Sequence, residues 1–397
     1  MKIGFLGNLA GNAWQMAKNF RAAGLDTEYI NDLDHYHLFC FPDWYEQYLK
    51  IGMDKVEETR QAWLAKLASP GGKPRGKTWS LAALKSYKDV PAEKTAISLD
   101  QIRSCDKLVV SGINGMLLAA AAGKEHDCIF WPAGGDWRLI TEGEGRPSGI
   151  KARLPFEFTR LILKSSLGKY PVFSSHDPVQ DYSRRWHKKL RYLPFPLPVH
   201  QPLKSKEKVW ELIGLDERET AGKTVIFMPS RISFIWKKTN VFLEAFLEAS
   251  SRNRNLLLIV PAWGQDRDRV CEMTDGASIK LLDSVFSIPF LYDIYSHCDL
   301  VADQFSLGSY GTAAVGAFSC GRPVLTYIDE DRFREKGFPV PPVINCRTKE
   351  EIVSALEKVA AHPDLLKEKA GQMREWFLIT HQYQAAAKKL NELLAEF

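Results

Sequence analysis

The sequence predicts an α/β protein built as two Rossmann-like, doubly wound domains facing across a cleft, and three observations carry that expectation. At 397 residues the chain is more than twice the length of a typical domain. Short apolar runs alternate with helical stretches in both halves, the rhythm of parallel sheets covered on both faces. Around residues 194 to 205 the run PFPLPVHQPLK is dense in proline and lacks periodicity, which marks a hinge.

The elements follow in order. KIGFLG (2–7) is a strand ending in Gly, NLAGNAWQMAKNFRAAG a helix closed by Gly24, and DTEYI a second strand. The rhythm returns at KLVVSG (107–112), CIFWPAG (128–134) and YPVFSS (170–175). Between Phe41 and Asp100 it is interrupted: in DWYEQYLKIGMDKVEETRQAWLAKLA, Tyr45, Leu49, Met53, Val56, Trp63 and Leu67 recur at helical spacing, so an inserted helix is expected, followed by the basic, glycine-rich loop SPGGKPRGKTW. After the hinge come TVIFMPS, a helix from about Thr239 to Ala249, NLLLIVPAW, a helix near 266–273, IKLLDSV, the helix IPFLYDIYSHC, LVADQF, a helix within 303–325 and PVLTYI, with helices from about 350 onward. The expected organisation is a first domain over 1–198 with its insertion at about 41–100, a linker at 199–221, a second domain over 222–375, and a last helix at 376–397 packing back on the first domain.

Composition narrows the class. The chain is 45% hydrophobic and 25% charged, ordinary for a globular protein and without the signature of disorder. A net charge of +5 suits anionic small molecules or an acidic membrane surface but is too small to point to nucleic acid. The seven cysteines form no CxxC and no zinc-finger spacing with histidine, so they read as reduced, mostly buried residues. The N-terminal apolar run is too short and too soon broken for a signal peptide, and MLLAAAAG (116–123) is far short of a membrane span. A cytoplasmic protein is expected. No HExxH, GxSxG or P-loop occurs, and Gly4, Gly7 and Gly11 do not make a GxGxxG fingerprint.

Chemistry concentrates at one edge of the second domain. In DQFSLGSYGTAAVGAFSCGRPVL (303–325), Gly308, Ser309, Tyr310, Gly311 and Thr312 form a strand-to-helix turn. The first amides of a helix lack intrahelical partners and carry the positive end of its dipole, so an anion satisfies both; an ordinary tight β-α turn is the alternative. In TVIFMPSRISFIWKKTNVFLEAF, Arg231 follows a strand and Lys237 and Lys238 precede a helix at the same carboxyl edge. Fixed cations beside a helix N-terminus neutralise a diphosphate and stabilise its charge if it departs as a leaving group.

These two segments resemble the donor-binding half of retaining glycosyltransferases of the GT-B fold, in the glycogen-synthase-like and mannosyltransferase-like group. The likeness covers roughly 222–330, and the rest only as architecture. It implies that Arg231 and Lys237 bind the donor pyrophosphate, that Gly308, Ser309, Tyr310 and Gly311 correspond to the family's Glu-Gly-Phe-Gly turn, and that Gly316 and Ala317 correspond to its later Glu-Ala pair. GRPV (321–324) matches the family's Gly-Lys-Pro-Val strand entry. Both family glutamates, eight positions apart, are therefore glycine here, Gly308 and Gly316. The second usually grips the donor ribose and the first lies beside the transferred sugar. Glycine inside a helix costs about 1 kcal/mol relative to alanine, so Gly316 points either to close approach of a ligand or backbone or to a site that has left its ancestral use.

The resemblance also implies that the base sits near Val285 and Phe286, read through backbone contacts, and that the loop GNLAGN, with Gly7, Gly11 and Asn12, approaches the donor phosphates. FWPAGGDWRLI resembles the family's Gly-Gly-Asp segment. There Gly135 and Asp136 line the acceptor side, and Asp136 orients an acceptor hydroxyl or contacts the donor sugar, unless it only stabilises its own turn. His176, after another strand end, is a further acceptor-side candidate or a helix cap. The expected catalytic set is Asp136, Arg231 and Lys237, and Lys238 and Thr312 complete the donor contacts. No metal or cofactor is implied beyond a nucleotide-diphosphate sugar as co-substrate.

The function this implies is transfer of a sugar, with retention, to a glycan, lipid-linked sugar or protein. The inserted helix and its basic loop either pack on the sheet or form a platform for an acceptor or the inner membrane surface. Two alternatives differ in class: a non-catalytic homologue serving as scaffold in glycan assembly, and a nucleotide-sugar epimerase.

Overall fold

The structure is a computed structural model. It describes residues 1–7, 11–30, 38, 41, 43–67, 78–79, 97–131, 148–150, 153–154, 156–157, 161, 171–174, 190–274 and 278–396.

The chain opens as β1 (Ile3–Leu6), α1 (Asn12–Ala22) and β2 (Thr27–Ile30), with β1 and β2 parallel and Ile3 opposite Thr27. Helix α1 buries Ala13, Met16, Ala17 and Phe20, the i, i+3, i+4, i+7 stripe of a helix lying on a sheet, and the Phe20 ring stacks on Phe5 at 5.7 Å. The insertion contributes α2 (Asp43–Glu46), β3 (Lys50–Gly52) and α3 (Val56–Leu67). The sheet resumes with α4 (Leu99–Arg103), β4 (Lys107–Val110), α5 (Gly112–Ala121), β5 (Cys128–Phe130), β6 (Val172–Ser174) and β7 (Leu190–Tyr192). The strand order is β2-β1-β4-β5-β6-β7, all neighbours parallel.

Residues 199–221, expected as the linker, contain two short helices, α6 (Lys206–Ile213) and α7 (Glu217–Thr220). Ser205 caps α6, which buries Val209, Trp210 and Ile213, and Asp216 with Glu219 forms a capping box on α7. The prolines end before Ser205, and beyond them the spacing of apolar residues is helical.

The second half runs β8 (Thr224–Phe227), α8 (Thr239–Arg252), β9 (Leu256–Pro261), α9 (Arg267–Met273), β10 (Ile279–Leu282), β11 (Ser284–Phe286), α10 (Ile288–His297), β12 (Leu300–Ala302), α11 (Thr312–Ser319), β13 (Val324–Thr326), α12 (Glu330–Glu335) and β14 (Ile344–Asn345). Its sheet has the order β10-β9-β8-β12-β13-β14, the doubly wound arrangement, and β8, β9, β12 and β13 are buried along their whole length as parallel strands covered on both faces must be. The winding reverses between β8 and β12, and the loops leaving their carboxyl ends flank a crevice. The chain closes with α13 (Lys349–Ala361), α14 (Asp364–Thr380) and α15 (Tyr383–Leu394); α14 packs on α11 of the second half, and α15 lies on α1 of the first.

The insertion departs from expectation. Its continuous helix is broken after Glu46, and β3 pairs antiparallel with β11 of the other half, Ile51 opposite Val285. Gly52 is a poor helix interior residue, and the pairing gives the Ile51 main chain a partner in Val285 while burying Ile51 beside Phe41, Trp44, Tyr45, Trp63 and Val285. Among the described residues no helix is long and apolar enough to cross a membrane.

Candidate nucleotide-diphosphate site

Two loops meet at the switch point. Residues 228–238 leave β8, and residues 303–311 leave β12. Asp303 is the first residue past β12, and its side chain is wholly buried. Its Oδ1 accepts from Ser230 Oγ at 2.7 Å and Lys237 Nζ at 3.3 Å, and its Oδ2 accepts from the Gly311 amide at 2.9 Å. Lys237 Nζ also donates to Gln304 Oε1 at 3.1 Å, and the Lys237 carbonyl accepts from the Phe305 amide at 3.0 Å. One buried carboxylate thus fixes both loops and the helix start against one another. Burial alone pushes the Asp303 carboxyl up, but the Lys237 charge beside it and the bonds from Ser230, the Gly311 amide and Lys237 more than offset this, and it stays below the usual carboxylate range.

Asp303 is the residue sequence reasoning missed. The signal was an acid placed directly at a strand's carboxyl end before a small-residue turn, in DQF; what hid it was that a carboxylate beneath an anion site looks unfavourable until its partner Lys237 is known.

Around this anchor, the candidate cations separate. Arg231 and Lys238 are exposed, and neither side chain is hydrogen-bonded or ion-paired among the described residues. Lys237 is engaged with Asp303 yet keeps 19% of its side-chain surface. Lys238 is the one non-glycine residue with positive φ, 54°, among the described residues, and it sits at the N-cap of α8. Such a conformation persists where surrounding bonds enforce it; here the Lys237 and Thr239 amides on either side both donate to the Ser233 carbonyl. At α11 the Gly311 amide is taken by Asp303, while the helix begins at Thr312, so the amides of Thr312, Ala313 and Ala314 have no partner within the helix.

The turn residues divide by role. Gly308 has φ 67°, and a Cβ there would lie 2.9 Å from Asp329 Cβ, so the Asp329 amide can donate to the Gly308 carbonyl at 2.9 Å only because the position is glycine. Ser309 is buried, and Tyr310 is wholly buried, its ring among Phe318, Phe333 and Trp376. The Tyr310 side chain therefore points into the core and is no direct ligand of an anion in the crevice. Gly316 faces neither the crevice nor a ligand: a Cβ there would lie 3.0 Å from Tyr292 and 3.1 Å from Tyr295, so the glycine lets α11 close on α10. Neither position has room for an acidic side chain in this packing.

The remaining candidates scatter. Val285 and Phe286 are buried. The ladder carries bonds from the Met53 amide to the Asp283 carbonyl and from the Ser287 amide to the Leu49 carbonyl. Alternation then makes Ile51 and Val285 a bonded pair and turns the main-chain groups of Phe286 away from β3. Val285 is not free to read a base through its backbone, and Phe286, whose main chain turns away from β3, is itself only 2% exposed. Gly11 and Asn12 stand at the start of α1, and the Tyr45 ring of the insertion fills the space a side chain at Gly11 would need. Gly7 follows β1 directly. Gly135, Asp136 and His176 lie outside the described residues, as do residues 70–77 of the basic loop. A cavity of about 350 Å³ opens at the opposite, amino-terminal edge of the second sheet, between Thr224, Asp299 and Pro323; doubly wound sheets bind ligands at the other edge.

No protein-family model matches the chain, and no curated protein matches it. Solved structures do. Anabaena Alr3699/HepE, solved in complex with UDP and glucose, matches over 100% of both chains at 13% identity and a TM-score of 0.62. Sucrose-phosphate synthase from Thermosynechococcus elongatus matches over 100% of this chain and 98% of its own at 12% identity and a TM-score of 0.58. S. aureus TarM, in complex with UDP and other ligands, matches over 77% of this chain and 61% of its own at 10% identity and a TM-score of 0.50. The chain has the two-domain GT-B fold of these glycosyltransferase structures.

Proposed function

We propose that the protein is a glycosyltransferase that binds a nucleotide-diphosphate sugar at the switch point of its second domain and transfers the sugar to an acceptor. The observation that carries this is the Asp303 anchor, which holds Lys237, the loop bearing Arg231 and the start of α11 at one edge. In the reaction, the bond from the anomeric carbon to the diphosphate oxygen breaks as an acceptor hydroxyl oxygen bonds to that carbon; the electron pair leaves with the diphosphate, on which negative charge grows, and the hydroxyl proton passes to the departing diphosphate oxygen. Lys237, held by Asp303, the exposed Arg231 and the amides of Thr312 and Ala313 meet that charge without a metal. The base is placed near Phe286, at the end of β11. Binding of UDP by HepE and TarM supports a uridine donor as the first to test.

Retention of configuration, a glycan, lipid-linked or protein acceptor, and cytoplasmic or inner-membrane placement extend the same reading. Asp136, Gly135 and His176 stand on its acceptor side. The closed packing at Gly308 and Gly316 favours one second reading, a diphosphate-binding homologue that transfers nothing, because neither position can contact the sugar or ribose through a carboxylate. Calorimetric titration with a panel of nucleoside diphosphates, followed by assays of sugar release and transfer, separates the two. Transfer abolished in Lys237→Ala supports the enzyme; diphosphate binding with no turnover of any donor supports the homologue; no diphosphate binding sinks both.

A further inference from the structure

The two stretches of chain that connect the halves run side by side. Residues 193–200 lead out of β7, residues 380–383 lead from α14 into α15, and they are joined by bonds from the Leu197 amide to the His381 carbonyl at 2.9 Å and from the Tyr383 amide to the Leu197 carbonyl at 3.0 Å. His381, fully buried, sits at the centre of this crossing. Its Nδ1 lies 2.9 Å from the Phe195 carbonyl, which can only accept, so Nδ1 carries a proton and Nε2 is left to face the neighbouring hydroxyls. At 3.1 Å from Nε2 is the hydroxyl of Tyr310, and the hydroxyl of Tyr192 on β7 is 3.5 Å away.

Tyr310 belongs to the turn whose next residue, Gly311, is tied to Asp303 and leads into the first amides of α11, which have no partner within the helix. We propose that His381 is a positioning residue that couples the anion-binding turn, through Tyr310, to the crossing between the two halves. Rotation of the halves about the paired crossings displaces His381, and Tyr310 carries that displacement to the amides of α11. By the reciprocity of linked equilibria, a ligand that fixes those amides shifts the preferred arrangement of the crossings. This rests on the diphosphate reading given above.

The test compares the whole wild-type chain with Tyr310→Phe, which removes one hydroxyl and keeps the ring, and His381→Gln, at UDP concentrations that saturate each. Amide hydrogen exchange at Leu197 and Tyr383 is read with and without UDP. In the wild type UDP slows exchange at both; in each variant that UDP-dependent difference shrinks about fivefold or more, the low end of ordinary coupling. A merely structural role would change the unliganded rates and leave the difference intact. UDP binding with an undiminished difference in the variants, or with no change at the crossings in the wild type, overturns the coupling alone. Failure of the wild type to bind any nucleoside diphosphate overturns the diphosphate reading itself. Should one variant fail to fold, the other carries the comparison.

Discussion

Gly316 on α11 lies so close to Tyr292 on α10 that a Cβ at position 316 would stand 3.0 Å from the ring. The glycine is a packing residue. Restoring the glutamate of the resembling family at this position therefore gains no donor contact. Gly316→Glu forces a carboxylate between two buried tyrosine rings and loses more than about 3 kcal/mol. Gly316→Ala loses about 1 kcal/mol, because overpacking exceeds the helix-propensity gain. Denaturant unfolding measures both. A stable Gly316→Glu protein with tighter UDP binding would refute this account of the position.

Asp303 sets an acid limit on the site. Its folded pKa lies below the unfolded value of about 3.9, so its stabilisation is fully present above that value and is lost as pH falls through the folded pKa. Asp303→Asn keeps an acceptor for Lys237 but cannot serve Ser230 and the Gly311 amide as well, and it loses roughly 3 kcal/mol at pH 7. The stability gap between wild type and Asp303→Asn stays flat from pH 5 to 8 and narrows below about pH 4. A gap that widens on acidification would mean the carboxylate is not held ionised by Lys237.

The edge that carries this site was legible because β-α rhythm fixes parallel strands, and parallel strands place Arg231, Lys237 and the 308–312 turn at one end of the sheet. The two glycines were legible as anomalies but not in cause, since the neighbours that exclude a side chain, Asp329 at Gly308 and Tyr292 at Gly316, come from other elements. The insertion misled for a similar reason. Tyr45, Leu49 and Met53 fall on one helical stripe, yet the segment is a strand between two helices because β11, far along the chain, offers it an antiparallel partner. Tyr310 reads as a member of a glycine-rich turn and turns out to be a core side chain bonded to His381.

The ladder between β3 and β11 straps the insertion to the second half. Besides its main-chain bonds, Lys50 Nζ donates to the Leu212 carbonyl at 2.8 Å and the Leu49 amide donates to Ser287 Oγ at 2.8 Å. Ile51→Pro removes the amide facing Val285 and opens the pair. Exchange of the Val285 and Ser287 amides then accelerates by roughly tenfold, as expected for about 1 kcal/mol per lost bond with some loss of the neighbouring one. In the wild type, UDP leaves both amides protected, because the main chain of Phe286 points the other way. Loss of their protection on UDP binding would show that the strap must open for the base.

Arg231 and Lys237 differ in one respect that separates binding from folding. Arg231 is exposed with no partner among the described residues, whereas Lys237 compensates a buried carboxylate. Arg231→Ala therefore weakens UDP binding by about tenfold, the value of one charged hydrogen bond, and leaves the melting temperature unchanged. Lys237→Ala weakens UDP binding by about 10- to 100-fold and also destabilises the fold by about 3 kcal/mol, because Asp303 is left buried and unpaired. Adding Asp303→Asn to Lys237→Ala recovers part of the stability and none of the affinity, since it removes the stranded charge without returning a cation. Titration calorimetry and thermal melts on the four proteins read the two effects separately. Full UDP affinity in the destabilised Lys237→Ala protein would assign Lys237 to the fold alone and leave the diphosphate to Arg231 and the start of α11.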